Sequence, residues 1–258
     1  MASDGTAGMS EKIGITAAVL VIGDEILSGR TKDKNIGYIA DYLMQIGIDL
    51  SEVRIVPDIE QEIVDAVNAL RARYTYVFTT GGIGPTHDDI TADSVAKAFG
   101  VDISEHPRAI ELLLTRIKPE DLNEARRRMA RIPHGAELVE NRVSTAPGFM
   151  IGNVVVMAGV PSIMQAMLDN VTPRLKTGVK MLMETVQADS VPEGAYAAGL
   201  GAIAEKYPDC SIGSYPSFTT GKFMNQIVVR SKNPESLAAA LAEVRALIDR
   251  LIAERAKK

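Results

Sequence analysis

The sequence predicts an α/β fold, a three-layer domain with a mostly parallel sheet, followed by a small α+β domain. Residues 15–22 form a continuous apolar run, which is typical of a strand buried on both faces, residues 48–56 are predicted to be a second strand, and the β-branched and aromatic run 75–80 predicts a third. Each run is followed by a segment with apolar residues at helical spacing. Strands that alternate with helices in this way indicate parallel βαβ units.

Three amphipathic segments supply the predicted helices of this sheet. The first begins at Asn35 and ends before Gly47, the second covers residues 59–70, and the third covers about 89–99. Glycine directly after a helix is typical of its C-terminal end. Residues 148–157 are predicted to form a hairpin, because they place a Gly-Asn turn between two apolar runs.

The segment 107–132 is predicted to be helical and is rich in arginine. Its arginines are Arg126, Arg127, Arg128 and Arg131. Such a run is usually a solvated helix face. The alternative is a set of guanidinium groups that pair with phosphate.

The organisation of the chain changes near residue 175. Residues 1–13 are small and polar and are predicted to be a disordered tail. Residues 14–175 form the predicted α/β domain. Residues 176–258 show the order strand, helix, strand, strand, helix, which predicts a small α+β domain.

Composition narrows the possible functions. The chain has 258 residues, and 28 Lys and Arg against 33 Asp and Glu give a net charge of −5. An acidic chain lacks the basic field that sequence-independent nucleic-acid binding needs. With Cys210 as the single cysteine, an internal disulfide and a Cys-rich zinc site are excluded. We expect a soluble cytoplasmic protein with no membrane or nucleic-acid partner.

The strongest functional motif is the glycine-rich segment that follows the third strand. Gly81, Gly82 and Gly84 lie between a buried strand and a helix. Glycine lets the backbone approach a ligand closely, and free N–H groups before a helix suit phosphate. The alternative is a tight turn without a ligand, because glycine is common in turns.

Carboxylates follow the ends of all three predicted strands. Asp88 and Asp89 come after the glycines, Asp24 and Glu25 follow the first strand, and Asp58 follows the second. Helix capping would explain one aspartate of the Asp88–Asp89 pair. Two carboxylates beside a phosphate would repel it, so we expect a divalent cation between them, which Mg²⁺ sites provide with one or two carboxylates and substrate phosphates.

These motifs resemble those of the CinA family of competence- and damage-inducible proteins. The segments that carry the resemblance are residues 23–29 with Asn35, residues 80–91, residues 146–148 and residues 159–162. The resemblance covers residues 14–175 and implies a domain similar to the molybdopterin-binding proteins MogA and MoaB. Residues 176–258 resemble the KH-type domain of CinA proteins. The amidase domain that follows it in CinA is expected to be absent.

The resemblance implies a metal-dependent pyrophosphatase that splits ADP-ribose or a related dinucleotide into AMP and a sugar phosphate. It implies a divalent metal ion (Mg²⁺, Mn²⁺ or Co²⁺), a nucleotide or dinucleotide partner, and a homodimer or homotrimer. The candidate catalytic residues are Asp58, Asp88 and Asp89. The candidate metal ligands are Asp24, Glu25, Asp88 and Asp89. The candidate substrate- and phosphate-binding residues are Ser28, Asn35, Gly81, Gly82, Gly84, Pro85, Thr86, Thr91, Gly159, Pro161 and Ser162.

Two other functions use the same residues. The first alternative is a protein that binds or adenylylates molybdopterin, as the MogA type does, with molybdopterin as its ligand. The second is a binding module without enzymatic activity.

Overall fold

The computed structural model describes residues 14–189, 191–219 and 222–256. The predicted disordered tail, residues 1–13, lies outside the described residues. The chain divides into two compact units between Gly178 and Val179, shortly after the predicted boundary at residue 175. All the candidate site residues belong to the first unit.

The first unit contains alternating strands and helices within its described residues. Its strands are β1 (Thr16–Ile22), β2 (Asp49–Val56), β3 (Tyr76–Thr80), β4 (Ile103–Glu105), β5 (Arg131–Pro133), β6 (Glu137–Val139), β7 (Gly148–Ile151) and β8 (Val154–Met157). Its helices are α1 (Asp24–Leu27), α2 (Asn35–Gln45), α3 (Glu60–Arg73), α4 (Thr91–Phe99), α5 (Pro107–Leu114), α6 (Glu124–Arg128) and α7 (Pro161–Val171). Short 3₁₀ turns lie at Pro119–Asp121 and Thr172–Arg174.

Six of these strands form one sheet with the order β2-β1-β3-β8-β7-β6. The pairs β1·β2, β1·β3 and β3·β8 are parallel, and β7 pairs antiparallel with β8 and β6. Helices cover both faces. The predicted three-layer α/β fold with a mostly parallel sheet is therefore confirmed.

The strand β1 shows why the sequence folds in this way. Its alternate residues enter two different apolar cores, with Leu20 among side chains of α3, α4 and α5, and Val19 among those of α2 and α7. Both side chains are fully buried. A strand with helices on both faces needs apolar residues at nearly every position, which is why β1 reads as a continuous apolar run.

The prediction of one helical segment over residues 107–132 is wrong in part. The segment is broken into α5, a 3₁₀ turn, α6 and the strand β5, which pairs antiparallel with β4. Pro119 disfavours a helical conformation at the residue before it, so α5 cannot continue through this point. The Asn123 side chain then accepts a hydrogen bond from the Arg126 N–H and starts α6 separately.

The second unit is a small α+β structure. Its elements within the described residues are β9 (Leu182–Gln187), α8 (Glu193–Lys206), β10 (Cys210–Tyr215), β11 (Phe218–Thr219), β12 (Lys222–Phe223), β13 (Gln226–Ser231) and α9 (Pro234–Ala256). Its main sheet has the antiparallel order β10-β13-β9, and α8 and α9 share one apolar core with it. Within the described residues, even α9 is too polar for a membrane span, and each other helix is too short or too polar.

A hydrogen-bonded cluster on the edge strand β2 gives a first testable prediction. Glu52 accepts hydrogen bonds from the Tyr74 hydroxyl (2.7 Å) and from Arg54 (2.7 Å), and these bonds lower the pKa of its carboxyl group. The ionised carboxylate therefore stabilises the fold at neutral pH, and this stability is lost as the pH falls through the carboxyl range. Tyr74→Phe should lower the free energy of unfolding by about 1 kcal/mol at pH 7.

Urea unfolding at pH 7 and at pH 4 measures this effect. The difference between Tyr74→Phe and the unmodified chain should be smaller at pH 4. Tyr38→Phe is the control, since Tyr38 is exposed and contacts the Tyr42 ring. Equal stability of Tyr74→Phe and the unmodified chain at pH 7 would show that the bond contributes nothing.

Candidate functional site

The carboxyl ends of β1, β2 and β3 meet at one edge of the sheet. In the parallel register Ile22 pairs with Val56, and Val21 pairs with Thr80. The chain leaves each strand in a polar loop at this edge, where open α/β sheets bind their ligands. The Asp24 N–H donates to Asp58 Oδ2 at 2.9 Å and joins the first two loops.

Four predicted carboxylates line one open cleft of about 910 Å³ at this edge. They are Asp24, Glu25, Asp58 and Asp88, and the other lining residues are Leu27, Ser28, Arg30 and Thr31. We call this the acidic cleft. The structure thus brings together Asp24, Glu25, Ser28, Asp58 and Asp88 from three separate loops.

The carboxyl groups of the acidic cleft differ in their pKa. Burial raises the pKa of Asp58, and the negative charges of Asp24, Glu25 and Asp88 raise it further, against the opposing effect of the Asp24 N–H. Hydrogen bonding within the glycine-rich segment lowers the pKa of Asp88, which is largely exposed. Asp58 is therefore the more basic of the two carboxylates.

The donor set of the acidic cleft suits a hard cation that also binds a substrate. Among the described residues, no three His, Cys, Asp or Glu side chains are grouped closely enough to hold a metal ion by themselves. Mg²⁺ binds through one or two carboxylates and completes its shell with water and phosphate oxygens. Several carboxylates around one cleft fit such an ion.

The glycine loop, residues 81–90, is held tightly against β1 and α4. Gly81 has φ +104°, and a Cβ there would lie 2.1 Å from the Ile22 carbonyl oxygen. A Cβ on Gly82 would lie 2.2 Å from Thr91 Oγ1. The Thr91 hydroxyl donates to the Gly81 carbonyl at 2.9 Å. Glycine at these positions is therefore required by close approach of the backbone, and Thr91, which is fully buried, positions the loop.

Asp89 closes the glycine loop on itself. Its Oδ2 accepts hydrogen bonds from the Thr86 N–H (2.8 Å) and hydroxyl (2.5 Å), and a Cβ on Gly84 would lie 2.6 Å from it. The residue that caps α4 is Ile90, without a side-chain bond, so capping of the helix by Asp89 is wrong as an explanation. Asp89 lines a small hollow under the loop, whereas Asp88 lines the acidic cleft.

A second pocket of about 260 Å³ adjoins the acidic cleft, and both are lined by Glu25 and Thr31. Its apolar lining is Val21, Ile22 and Ile26, and its polar lining includes Lys32, Asp33, Lys34, Asn35, Thr80, Gly81, Gly159 and Pro161. Asn35 is buried and donates to the Gly159 carbonyl at 2.8 Å. Thr80 is 1% exposed, and its hydroxyl has no partner within the described residues.

The remaining predicted residues lie apart from these two spaces. Pro85 and Thr86 are exposed in the glycine loop, and Ser162 is exposed in the first turn of α7. Sequence reasoning missed Thr80, Lys32 and Lys34. A polar residue at the end of a buried strand was the signal for Thr80, whereas no pattern marked the two lysines.

Two known protein families match successive parts of the chain. The sequence model described as "Probable molybdopterin binding domain" matches residues 18–177, and the one described as "FAD synthase, middle domain" matches residues 180–256. The predicted MogA/MoaB-like domain is thus confirmed. The KH-type resemblance of the tail stays a prediction.

Two relatives and one solved structure are similar to the chain. "Probable FAD synthase" of Caenorhabditis elegans is 30% identical over 260 residues, which are 90% of this chain and 50% of the relative. The chain thus spans about half the length of this relative. An Archaeoglobus fulgidus protein is 33% identical over 77% of this chain and 84% of its own length. The crystal structure of Thermoplasma acidophilum CinA, described as of unknown function, has a TM-score of 0.59 and 33% identity, and covers 62% of this chain and 98% of that one.

The first of the two sequence models covers more than half of the chain. It includes both pockets and the glycine loop. The chain therefore belongs to the family described as "Probable molybdopterin binding domain".

Proposed function

We propose that the first unit hydrolyses the phosphoanhydride bond of an adenine dinucleotide with the help of a divalent cation. The observation that carries the proposal is the wall of Glu25 and Thr31 that the acidic cleft and the second pocket share. A dinucleotide joins an uncharged nucleoside to a charged pyrophosphate, so its two parts match the two adjoining spaces. ADP-ribose is the substrate that the resemblance to CinA implies, and FAD is included because two relatives carry it in their names.

The second pocket is suited to the nucleoside. Its apolar floor can bury a base, and the unpartnered Thr80 hydroxyl can bond to a polar group of the ligand. Lys32 and Lys34 on the same pocket can neutralise part of the phosphate charge. The N–H groups of the glycine loop would bind a phosphate oxygen beside them.

Asp58 is the proposed general base. Its Oδ2 is fixed by the Asp24 N–H, and its other oxygen has no hydrogen bond in the part of the chain that the structure describes. This free oxygen can accept a proton from a water molecule in the acidic cleft. Water would attack one phosphorus, lose its proton to Asp58, and displace the other phosphate as the P–O–P bond breaks. The products are AMP and a second phosphomonoester.

One or two of the carboxylates Asp24, Glu25 and Asp88 would hold the cation, together with water and phosphate oxygens. Bound there, a divalent ion neutralises the anhydride charge and makes water more acidic. Asp89 is proposed to shape the glycine loop, because its carboxylate accepts a hydrogen bond from Thr86.

The expected result is AMP release from FAD or ADP-ribose in the presence of Mg²⁺, Mn²⁺ or Co²⁺, and none after chelation with EDTA. Chromatography of the nucleotide products measures it. NAD and ATP are assayed separately as alternative substrates, since both contain an AMP group joined through an anhydride. If none of these compounds yields AMP with any of the three metals, the pyrophosphatase proposal fails.

A second candidate function is binding or adenylylation of molybdopterin. The name of the matching family favours it, since residues 18–177 fit a probable molybdopterin-binding domain. Mass spectrometry of small molecules retained on the purified protein distinguishes the two. A pterin would support this candidate, whereas AMP or a sugar phosphate would support the pyrophosphatase.

A further inference from the structure

The four arginines between Arg126 and Arg131 have different partners. The Arg126 guanidinium donates to the Asp121 carbonyl, Arg127 pairs with Glu105 at 2.8 Å, Arg131 pairs with Asp93 at 2.6 Å, and Arg128 donates to the Asp89 carbonyl at 3.0 Å. Three of the four thus stabilise the segment 103–131 or attach it to α4. Arg128 alone among them bonds to the glycine loop.

The surroundings of Arg128 are unusual for a cation. Its side chain is half-buried and forms no ion pair with a carboxylate of the described residues. Its Nε is buried and has no hydrogen-bond partner among them. A partly buried cation is costly where its bonds are unsatisfied, and the bond that the structure gives this side chain is the one to the Asp89 carbonyl.

The space beside Arg128 bears on whether its guanidinium binds a substrate phosphate or positions the glycine loop. Arg128, Gly82, Gly84 and Asp89 line a hollow of about 20 Å³. This volume holds about one water molecule. The bond that the described structure gives the guanidinium here is the one to the Asp89 carbonyl, which favours a positioning role.

We propose that Arg128 is a positioning residue that fixes the glycine loop from the segment 103–131. It holds the Asp89 carbonyl at the point where the loop enters α4, while the Asp89 carboxylate closes the loop on Thr86. These two attachments lie on one residue, so Arg128 and Thr86 together set the conformation of Asp89. The preceding residue, Asp88, lines the acidic cleft, so the conformation of Asp89 bears on where Asp88 lies. The expected effect of Arg128 on dinucleotide cleavage rests on the proposed function, whereas its expected effect on the rigidity of the glycine loop does not.

Hydrogen–deuterium exchange of the full chain tests the structural part. Arg128→Met should raise the exchange rate of amides in residues 81–90 about tenfold, since one bond from a charged donor is lost. Arg127→Met is the matched control, because it removes an ion pair from the same helix without touching the loop. Exchange in residues 81–90 should be unchanged in that control. Arg128→Lys keeps the charge and one donor and should restore part of the protection.

The kinetic arm uses whichever dinucleotide is cleaved. Arg128→Met should raise KM about tenfold and change kcat less, as expected when ground-state phosphate binding is weakened. The KM of Arg128→Lys should lie between that of Arg128→Met and that of the unmodified chain. The KM of Arg127→Met should match that of the unmodified chain. The proposal is overturned if folded Arg128→Met exchanges in residues 81–90 as slowly as the unmodified chain, or if Arg127→Met gives the same loss. If no dinucleotide is cleaved, the proposed function fails while the exchange result still decides the role of Arg128.

Discussion

Asp58→Asn is expected to reduce AMP release at least about 100-fold, the usual range for loss of a general base. The variant should nevertheless be at least as stable as the unmodified chain at neutral pH. Burial and the neighbouring carboxylates raise the pKa of Asp58, so its ionised form destabilises the fold. Asparagine removes that charge, and its amide oxygen can still accept the Asp24 N–H bond.

The sign of the pH dependence makes this prediction specific. Below the ordinary carboxyl pKa, Asp58 is protonated in the folded and unfolded states, and the stability gain of Asp58→Asn should vanish. As the pH rises to 7, the unmodified chain should become less stable than the variant. Thermal unfolding at pH 3.5 and pH 7 measures this, with Asp65→Asn on the exposed face of α3 as the control. Normal turnover in a folded Asp58→Asn protein would remove Asp58 from the mechanism.

Gly81→Ala is expected to destabilise the first unit by about 4 kcal/mol or more, a size reached only by disruption of the core or backbone. The new Cβ would lie 2.1 Å from the Ile22 carbonyl oxygen of β1, which is backbone and cannot rotate away. The positive φ of +104° adds a smaller cost.

Gly100→Ala separates these two causes. Gly100 also has a positive φ, of +66°, but a Cβ there meets nothing within 4 Å. Gly100→Ala should lower the free energy of unfolding by about 1 kcal/mol, which is the cost of the backbone conformation alone. Urea unfolding of the full chain compares the two variants, and tryptic cleavage within the first unit reports the fraction unfolded at each urea concentration. Equal losses would show that the contact with β1 is relieved by a small shift.

The fold could be predicted because its information is local. A run such as residues 17–22 is apolar at every position because both faces of the strand are covered, and Gly100 ends α4 where expected. The segment 107–132 could not be read correctly, since its apolar spacing continues through Pro119 and the strand β5 is defined by pairing with β4. Pairing between distant segments leaves little trace in either one.

The site was predictable as a set of strand ends but not in detail. Parallel strands bring their carboxyl ends together, so the meeting of Asp24 and Asp58 followed from their positions. The different environments of Asp88 and Asp89 did not, because they depend on the turn that Thr86 closes. Adjacent residues in an irregular loop have no periodicity from which their directions could be read.

The strand order has a consequence for the synthesis of the chain. β3 pairs with β1 on one side and with β8 on the other, and β8 begins only at Val154. Until the ribosome has produced that segment, one edge of Tyr76–Thr80 stays unpaired, although these five residues are all buried in the finished protein. An apolar, uncovered edge is prone to join other chains. Nascent chains that stall between Thr80 and Val154 are therefore expected to aggregate more readily than the finished protein.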